Sequence, residues 1–215
     1  RIMCGIVGYV GLNNAVDFLI KGLRRLEYRG YDSAGIAVFG QNGEIDLRKK
    51  KGKVNELARA LEESPLSGNI GISHTRWSTH GAPNDINAHP HLDCKQEIAV
   101  VHNGIIENFQ ELKDALILEG HNFTSDTDTE VIAHLVEKYY AGDLEEAVRK
   151  AVKDLNGSYA MCVMHKKEPY RIIGARHDSP LVIGVSEEDN FLASDIPAIL
   201  EYTREIAYVQ NGEIV

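Results

Sequence analysis

The sequence predicts an α+β fold, with antiparallel sheets covered by helices, formed by a single domain of 215 residues. Three observations lead to this prediction. Short β-branched segments recur towards both ends of the chain, amphipathic helical segments lie between them, and no repeat, low-complexity stretch or long linker divides the chain. A domain of this length buries a sizeable core without disulfides or metal.

Composition narrows the class of protein further. The chain is 43% hydrophobic and 26% charged, which is typical of a globular domain, and its formal net charge is −9. This acidic balance speaks against nucleic acid or an anionic membrane as partner. No apolar run approaches the roughly 18 residues of a membrane span, and no secretory signal is recognised. With 3 cysteines and no Cys-x-x-Cys pair, we expect no disulfide scaffold and a reducing, cytoplasmic environment.

The N-terminal half alternates strands with single helices. The β-branched run from Cys4 to Val10 predicts a strand, and apolar spacing over 14–28 predicts a helix that Asn13 or Asn14 caps. A hairpin is expected over 34–39 and 44–48, because its centre contains the turn dipeptide Asn42-Gly43. A short helix over 53–63 and strands over 70–75 and 98–102 follow.

The second half begins with three helices and ends in strands. Asn108 is the expected cap of the first helix, and Thr127 to Glu130 has the capping-box pattern of the second. Apolar residues over 144–151 mark the third helix. Strands are then predicted over 158–164, 170–175, 181–185, 191–194 and 206–209.

Residues 76–96 form an unusually long segment without periodicity, rich in Gly, Pro, His and Asn. A loop of this length in a compact domain is usually functional or disordered. Its start combines Arg76 with Trp77, the only tryptophan, and an arginine offers a planar fork that matches a carboxylate. A small polar ligand fits this loop, although a plain polar surface loop remains the alternative.

Cys4 has two interpretations. A cysteine at the start of a strand is commonly a small buried hydrophobe. If translation starts at Met3 and that methionine is removed, however, Cys4 becomes the terminal residue. Its α-amine, with an ordinary pKa near 7.7–8.0, would then be a well-matched base for its own thiol.

Three further motifs remain ambiguous on their own. Asn103-Gly104 is either a turn or a pair of donors for an oxyanion, and Asp126 or Asp128 either caps a helix or accepts from a ligand ammonium. His89 and His91, with Cys94 nearby, suggest a zinc hydrolase only weakly, because no fourth ligand stands at a familiar spacing. The sequence therefore predicts no metal and no cofactor.

Taken together, these motifs resemble a known family. Six stretches stand in the order found in class II glutamine amidotransferases. They are Cys4-Gly-Ile-Val-Gly-Tyr-Val, Leu26-Glu-Tyr-Arg-Gly-Tyr-Asp-Ser-Ala-Gly, Thr75-Arg-Trp-Ser-Thr-His-Gly, His89-Pro-His, Val101-His-Asn-Gly-Ile-Ile-Glu-Asn and Thr127-Asp-Thr-Glu. Among these, the chain resembles the N-terminal glutaminase domains of glutamine–fructose-6-phosphate aminotransferases along essentially its whole length. The resemblance implies the N-terminal-nucleophile hydrolase fold, a four-layer α/β/β/α sandwich.

The resemblance also implies a role for each matching residue. Cys4 would attack the side-chain amide of L-glutamine, giving a γ-glutamyl thioester, ammonia and then glutamate. Asn103 and Gly104 would form the oxyanion hole. Arg76, with Thr79 and His80, would bind the α-carboxylate, and Asp128 would accept from the α-ammonium group. Trp77 would lie on the loop that covers the pocket, and Arg29 and His89 would support the site.

Two departures from the family pattern keep alternatives open. Arg1 to Met3 precede the nucleophile, and we expect them to be extra residues that are absent from the active form. The sugar-isomerase domains that would use the ammonia, and through which the family's enzymes could form homodimers, are not in this chain. A non-catalytic glutamine-binding module and the glutaminase domain of a related class II amidotransferase are the alternatives to a glutaminase that serves amino-sugar synthesis.

Overall fold

A computed structural model describes residues 4–215, and the expectation about residues 1–3 lies outside them. The described residues form 11 strands, 5 α-helices and one short 3₁₀ helix at Ile196–Ala198. The strands are β1 (Gly5–Val10), β2 (Ser33–Phe39), β3 (Ile45–Lys51), β4 (Ile70–Arg76), β5 (His91–Leu92), β6 (Ile98–Ile106), β7 (Gly157–His165), β8 (Ile173–His177), β9 (Val182–Val185), β10 (Asn190–Ala193) and β11 (Glu205–Tyr208). The helices are α1 (Ala15–Leu26), α2 (Val54–Glu63), α3 (Phe109–Leu118), α4 (Glu130–Tyr139) and α5 (Leu144–Asp154).

Two antiparallel sheets form the centre of the domain. The larger has 7 strands in the order β11-β9-β10-β1-β4-β2-β3, and the smaller has 4 in the order β5-β6-β7-β8. β1 and β4 are therefore central neighbours in the first sheet, while β6 occupies an inner position in the second. This arrangement brings the ends of three buried strands to one region of the molecule, where the candidate site lies.

Three separate apolar clusters show how the layers stack. One lies between α1 and α2 and the larger sheet, a second lies between the two sheets, and a third lies between the smaller sheet and α3 to α5. Three apolar interfaces separate four layers, so the predicted α/β/β/α sandwich is confirmed.

Alternation along the strands explains why both faces of each sheet are covered. On β6, Ile98 and Val100 pack against the helices, whereas Ala99 and Val101 pack against the other sheet. β2 follows the same rule, with Ile36 towards its helices. Both faces are apolar, as expected for sheets in the interior of a layered fold.

The predicted helices are present, but not every predicted cap is. Asn14 accepts a hydrogen bond from the amide of Val16, so the cap of α1 is confirmed. Asn108 stands at the start of α3 without a capping hydrogen bond from its side chain. The capping box at Thr127 is wrong, because α4 begins later and the Thr127 hydroxyl contacts Ser125 and His91 instead.

The long 76–96 segment and the last strands need small corrections. The segment contains the two-residue strand β5, and its first residue belongs to β4. The strand predicted over 170–175 begins later, at Ile173, and continues to His177. Among the described residues, no helix has the length and apolar character needed to cross a membrane.

Candidate active site

Cys4 lies immediately before β1, beside the end of β4. The antiparallel register pairs Gly5 with Thr75, so Cys4 and Arg76 meet at the same end of two central strands. The amide of Trp77 donates to the Cys4 Sγ at 3.2 Å, and the Cys4 thiol lies 3.5 Å from the Trp77 carbonyl oxygen. A backbone donor aimed at sulfur favours the thiolate that forms during nucleophilic attack.

The backbone of Cys4 is held from two sides. Its carbonyl oxygen accepts from Arg29 Nε at 3.0 Å and from Asn103 Nδ2 at 2.9 Å. Arg29 is in turn fixed by an ion pair with Asp195 at 3.0 Å. Asn103 comes from β6 of the opposite sheet, so this contact ties the two sheets together at Cys4.

A neutral histidine fixes the orientation of the Asn103 amide. The Oδ1 atom of Asn103 lies 2.9 Å from His74 Nε2, and its Nδ2 atom faces Cys4. Because an amide oxygen can only accept, His74 must carry its proton on Nε2. Burial lowers the pKa of His74 to about 3, so the ring is neutral at physiological pH. The second N–H of Asn103 remains available for an acceptor beside Cys4.

The surroundings of Cys4 make its thiol a weak acid. Burial is the largest cause and raises its pKa to about 11, although the Trp77 amide and the Arg76 charge act in the opposite direction. The thiol is therefore protonated near neutral pH. Chemistry at Cys4 requires a base that removes this proton as the sulfur attacks.

Arg76 has one unused nitrogen at the pocket. Its Nη2 donates to the carbonyl oxygens of His80 and Gly81, the latter at 3.1 Å. Its Nη1 is buried and has no hydrogen-bond partner among the described residues, while the side chain lines the cavity beside Cys4. A buried guanidinium with an unsatisfied donor is well suited to bind a carboxylate.

Asp128 supplies the opposite charge. Only 4% of the residue is exposed, and its Oδ2 accepts from the Ile106 amide at the end of β6 at 2.8 Å. Its Oδ1 lies 3.9 Å from His80 Nδ1 and lines the same cavity. One oxygen therefore positions the side chain, and the other is left to accept from a cationic group.

The cavity itself is narrow. It lies between Cys4, Arg76, Gly104 and Asp128, and its volume of about 30 Å³ holds about one water molecule. Trp77, which is 37% exposed, and Thr79 also line it. Gly104 has φ +126°, and a Cβ there would stand 2.0 Å from the Ser158 carbonyl oxygen, so only glycine fits.

Buried histidines form the floor of the site. The rings of His89 and His74 stack at a centroid distance of 4.1 Å, and His89 Nδ1 accepts from the His102 amide at 3.4 Å. The pKa of His89 lies well below its usual value because the ring is buried, and burial also lowers that of His102. Burial therefore keeps the rings of His89 and His102 uncharged near neutral pH.

The structure brings together most residues that the sequence suggested. Seven of them line one cavity: Cys4, Arg76, Trp77, Thr79, His89, Gly104 and Asp128. Arg29 and Asn103 act on the backbone of Cys4 from behind the cavity. His80 contributes its carbonyl oxygen to Arg76, and its ring packs edge-on against Phe109.

Sequence reasoning missed several residues of the site. His102, Thr127 and Thr129 also line the cavity, and the Thr129 hydroxyl lies 2.9 Å from His102 Nδ1. His102 directly precedes Asn103 in the sequence, and the two threonines flank Asp128. Their position next to predicted site residues is the sequence feature that could have identified them. Within residues 4–215, His89 and His91 are not part of a cluster of metal-ligating side chains, and Cys94 contacts His121 and His134 instead.

Comparison with known proteins agrees with this geometry. A family model described as a glutamine amidotransferase domain matches residues 74–201, which is more than half of the chain. The chain therefore belongs to the glutamine amidotransferase domain family.

The chain is also similar along its whole length to individual curated proteins. The glutamine–fructose-6-phosphate aminotransferase (isomerizing) of Thermus thermophilus is 56% identical over 99% of this chain. The enzyme of the same name from Aquifex aeolicus is 57% identical over 99% of the chain. The chain covers only 35% and 36% of these two proteins, respectively.

Solved structures show the same fold. The glutamine phosphoribosylpyrophosphate amidotransferase from B. subtilis superposes with a TM-score of 0.82 at 28% identity. The alignment covers 98% of this chain and 46% of that one. The predicted family and the N-terminal-nucleophile hydrolase fold are thereby confirmed.

Proposed function

We propose that this chain hydrolyses the side-chain amide of L-glutamine through Cys4, and that it supplies the ammonia for conversion of fructose 6-phosphate to glucosamine 6-phosphate within a longer protein. One observation carries the proposal: Cys4, Asp128 and Arg76, whose buried Nη1 has no partner among residues 4–215, line one cavity. A free amino acid is a zwitterion, so selective binding needs one fixed cation and one fixed anion, which Arg76 and Asp128 provide.

The proposed reaction begins with the thiol of Cys4. Its Sγ attacks the amide carbon of glutamine, and the thiol proton passes to a base. The nitrogen leaves as ammonia after receiving that proton, and a γ-glutamyl thioester remains on sulfur. Water then attacks the thioester, releasing glutamate and restoring the thiol.

The base in this scheme is the α-amine of Cys4 itself. The histidines beneath the site are buried and neutral, and their low pKa values make them poor proton acceptors. An α-amine has an ordinary pKa near 7.7–8.0 and is covalently next to the thiol. The proposal therefore requires that Arg1 to Met3 be absent from the active form, since a peptide nitrogen cannot accept a proton.

Negative charge that develops on the amide oxygen needs donors. Asn103 has a second N–H beside the Cys4 carbonyl contact, and Gly104 lines the cavity. We assign these two groups to the oxyanion. Such a donor is usually worth a factor of about 100–1,000 in rate.

Glutamine is larger than the cavity, so the segment from Trp77 to Gly81 must move as substrate enters. Trp77 is partly exposed and rests edge-on against Tyr31 at 5.5 Å, a contact that a small outward movement breaks. Closure of this segment over bound glutamine would exclude water from the thioester until ammonia leaves.

The relatives support the wider role. Proteins that are 56–57% identical to this chain carry the name glutamine–fructose-6-phosphate aminotransferase, and the chain spans about a third of their length. We place the sugar-isomerase chemistry, and homodimer formation through those domains, in the remaining part of such a protein. The 3 free cysteines of the described chain favour a cytoplasmic location.

The test compares a chain that begins at Cys4 with the 215-residue chain. We expect the first to release glutamate and ammonia in equal amounts from glutamine, and the second to be inactive. Cys4→Ala in the first chain should abolish turnover and keep glutamine binding, whereas His177→Gln, at an exposed side chain outside the site, should keep both. Normal turnover by Cys4→Ala would refute the mechanism, and binding without turnover in the processed wild type would indicate a non-catalytic module.

A further inference from the structure

Four side chains of metal-ligating type meet outside the candidate active site. Cys94 lies in the turn between β5 and β6, His121 lies in the connection between α3 and α4, and His134 and Glu137 lie one turn apart on α4. Their ligand atoms all lie within 4.8 Å of one another. No sequence motif indicates this cluster, because three separate segments contribute to it.

Four of the six ligand-to-ligand distances can be compared with those around a tetrahedral ion. The Sγ atom of Cys94 lies 3.5 Å from His134 Nδ1 and 3.7 Å from His121 Nδ1. His134 Nδ1 lies 3.4 Å from Glu137 Oε2, and His121 Nδ1 lies 2.9 Å from the same oxygen. Ordinary zinc–ligand lengths imply sulfur–nitrogen edges of about 3.6 Å and nitrogen–oxygen edges of about 3.4 Å for a tetrahedron. Three of these four distances agree within about 0.1 Å, and the shortest requires a small opening.

We propose that Cys94, His121, His134 and Glu137 bind one Zn²⁺ ion in a structural site. A thiolate with two imidazoles and a carboxylate suits zinc better than the oxygen-preferring cations Mg²⁺ and Ca²⁺. Four protein ligands close the coordination sphere and leave no position for substrate or catalytic water.

The surroundings hold the ligands in place for such an ion. The Asn122 amide donates to Cys94 Sγ at 3.3 Å, which stabilises a thiolate. His134 is 1% exposed. Its Nε2 atom lies on the side of the ring away from the cluster and has no hydrogen-bond partner among the described residues. The carboxylate oxygen Oε1 of Glu130 lies 3.6 Å from this Nε2 atom. With Nδ1 bound to metal, Nε2 must carry the proton and point it at that carboxylate, the usual outer partner of a zinc-bound histidine.

The ion has a route to the site from solvent. Cys94 is exposed, whereas the side chains of His121 and Glu137 are 13% and 9% exposed. Lys95 approaches the other Glu137 oxygen at 3.7 Å and leaves Oε2 facing the ligands. The cluster therefore opens at one surface edge and is closed by α4 beneath.

Zinc here would fasten the segment that carries Asp128. This segment runs from His121 into α4. Glu130 holds its middle, because the carboxylate accepts from the amides of Thr124 and Ser125 at 2.8 and 2.7 Å, and the Asp126 amide donates to Asn87 at 3.0 Å. An ion joining His121 to α4 and to the β5–β6 turn would tie both ends of the segment to the body of the domain. The site thus contributes to folding stability rather than to glutamine chemistry, and it does not depend on the proposed function.

Cobalt titration of the metal-stripped 215-residue chain tests the proposal. Co²⁺ in the predicted site should give the intense visible bands of tetrahedral cobalt and a near-ultraviolet sulfur-to-metal charge-transfer band, saturating at one ion per chain. One equivalent of Zn²⁺ should abolish both. At 100-fold excess of free Zn²⁺ over Kd, we expect the melting temperature to rise by about 5–10 °C.

Matched variants assign the ligands. Cys94→Ser should remove the charge-transfer band and weaken zinc binding at least about 100-fold, and His121→Gln should weaken it comparably. Cys4→Ala and His177→Gln, which alter a thiol and an exposed imidazole elsewhere, should bind cobalt like the wild type. Far-ultraviolet circular dichroism of each stripped variant separates loss of a ligand from loss of the fold.

Three results would overturn the proposal. The first is a folded wild-type chain that shows no tetrahedral cobalt spectrum, which would mean that the cluster is held by hydrogen bonds alone. The second is a charge-transfer band that survives Cys94→Ser and disappears in Cys4→Ala. The third is an X-ray absorption spectrum of the zinc form without one sulfur ligand in the first shell.

Discussion

Replacing Asp128 by asparagine separates ligand binding from folding at a single side chain. The Oδ2 atom of Asp128 accepts from the Ile106 amide at 2.8 Å, and an asparagine oxygen can still accept this hydrogen bond. What disappears is the negative charge, which the proposed site directs at the α-ammonium group of glutamine. The substitution therefore removes one charged interaction and keeps the internal one.

The expected magnitude follows from this geometry. A hydrogen bond to a charged partner contributes about 1.5–3 kcal/mol, which corresponds to a loss of glutamine affinity of about 10- to 150-fold. The retained contact to Ile106 limits the loss of stability to roughly 1 kcal/mol, or about 2–4 °C in melting temperature.

Calorimetric titration of Cys4→Ala, with and without Asp128→Asn, measures this effect without turnover. Analogues of glutamine that lack one charged group test whether Asp128 contacts the α-ammonium. The analogue that lacks the α-ammonium should bind both proteins equally. The analogue that lacks the α-carboxylate should still distinguish them. A melting temperature that falls in proportion to affinity, or an ammonium-free analogue that still distinguishes the two proteins, would refute the assignment and make Asp128 a structural residue.

Three further predictions follow from the same site. Arg76→Lys keeps the charge but loses the fork; KM for glutamine should rise at least about 10-fold in steady-state assays, and a KM within twofold of wild type would contradict the clamp. In the chain that begins at Cys4, kcat/KM should rise with pH through an apparent pKa near 7.7–8.0 and then level off, because the free amine is the base; a rise that continues towards pH 11 would indicate direct ionisation of the thiol. Gly104→Ala should lower the melting temperature by more than about 4 °C, because its Cβ would meet the Ser158 oxygen at 2.0 Å. Gly120→Ala is also at positive φ, but its Cβ would have nothing within 4 Å, so it should cost only about 1 kcal/mol, or about 2–4 °C. Equal melting temperatures of the two variants would refute the steric argument.

The helices and strands could be predicted because most of them have a strong local signal, whereas their arrangement in four layers was implied only by the resemblance to class II glutamine amidotransferases. The apolar periodicity of α1 and its Asn14 cap fix that helix, and two-sided apolar strands such as β6 indicate sheets buried on both faces. Boundaries failed where tertiary contacts replaced local ones. Thr127 satisfies the capping pattern, but its hydroxyl is engaged by His91 from a distant part of the chain.

The site was predictable only in part, and the reason is spatial. Arg76 and Asp128 could be proposed from their residue types and motifs, but the unpaired Nη1 of Arg76 depends on how the loop carbonyls of His80 and Gly81 fold back. The support that His74 gives to Asn103 crosses between two sheets, and no spacing in the sequence reports it. The cluster of Cys94, His121, His134 and Glu137 could not be predicted from a sequence motif, because only His134 and Glu137 are neighbours on a helix.

Protection of Cys4 from alkylation by glutamine tests the central claim most directly, namely that its thiol and the two charged side chains form one glutamine site. In the metal-stripped protein, Cys94, which is exposed and then carries no metal ion, serves as the reference thiol, and the fully buried Cys162 reports on folding. With saturating L-glutamine, peptide mapping should show at least about 10-fold slower alkylation of Cys4 at an unchanged rate for Cys94. Equal rates of Cys4 alkylation with and without glutamine would contradict the account.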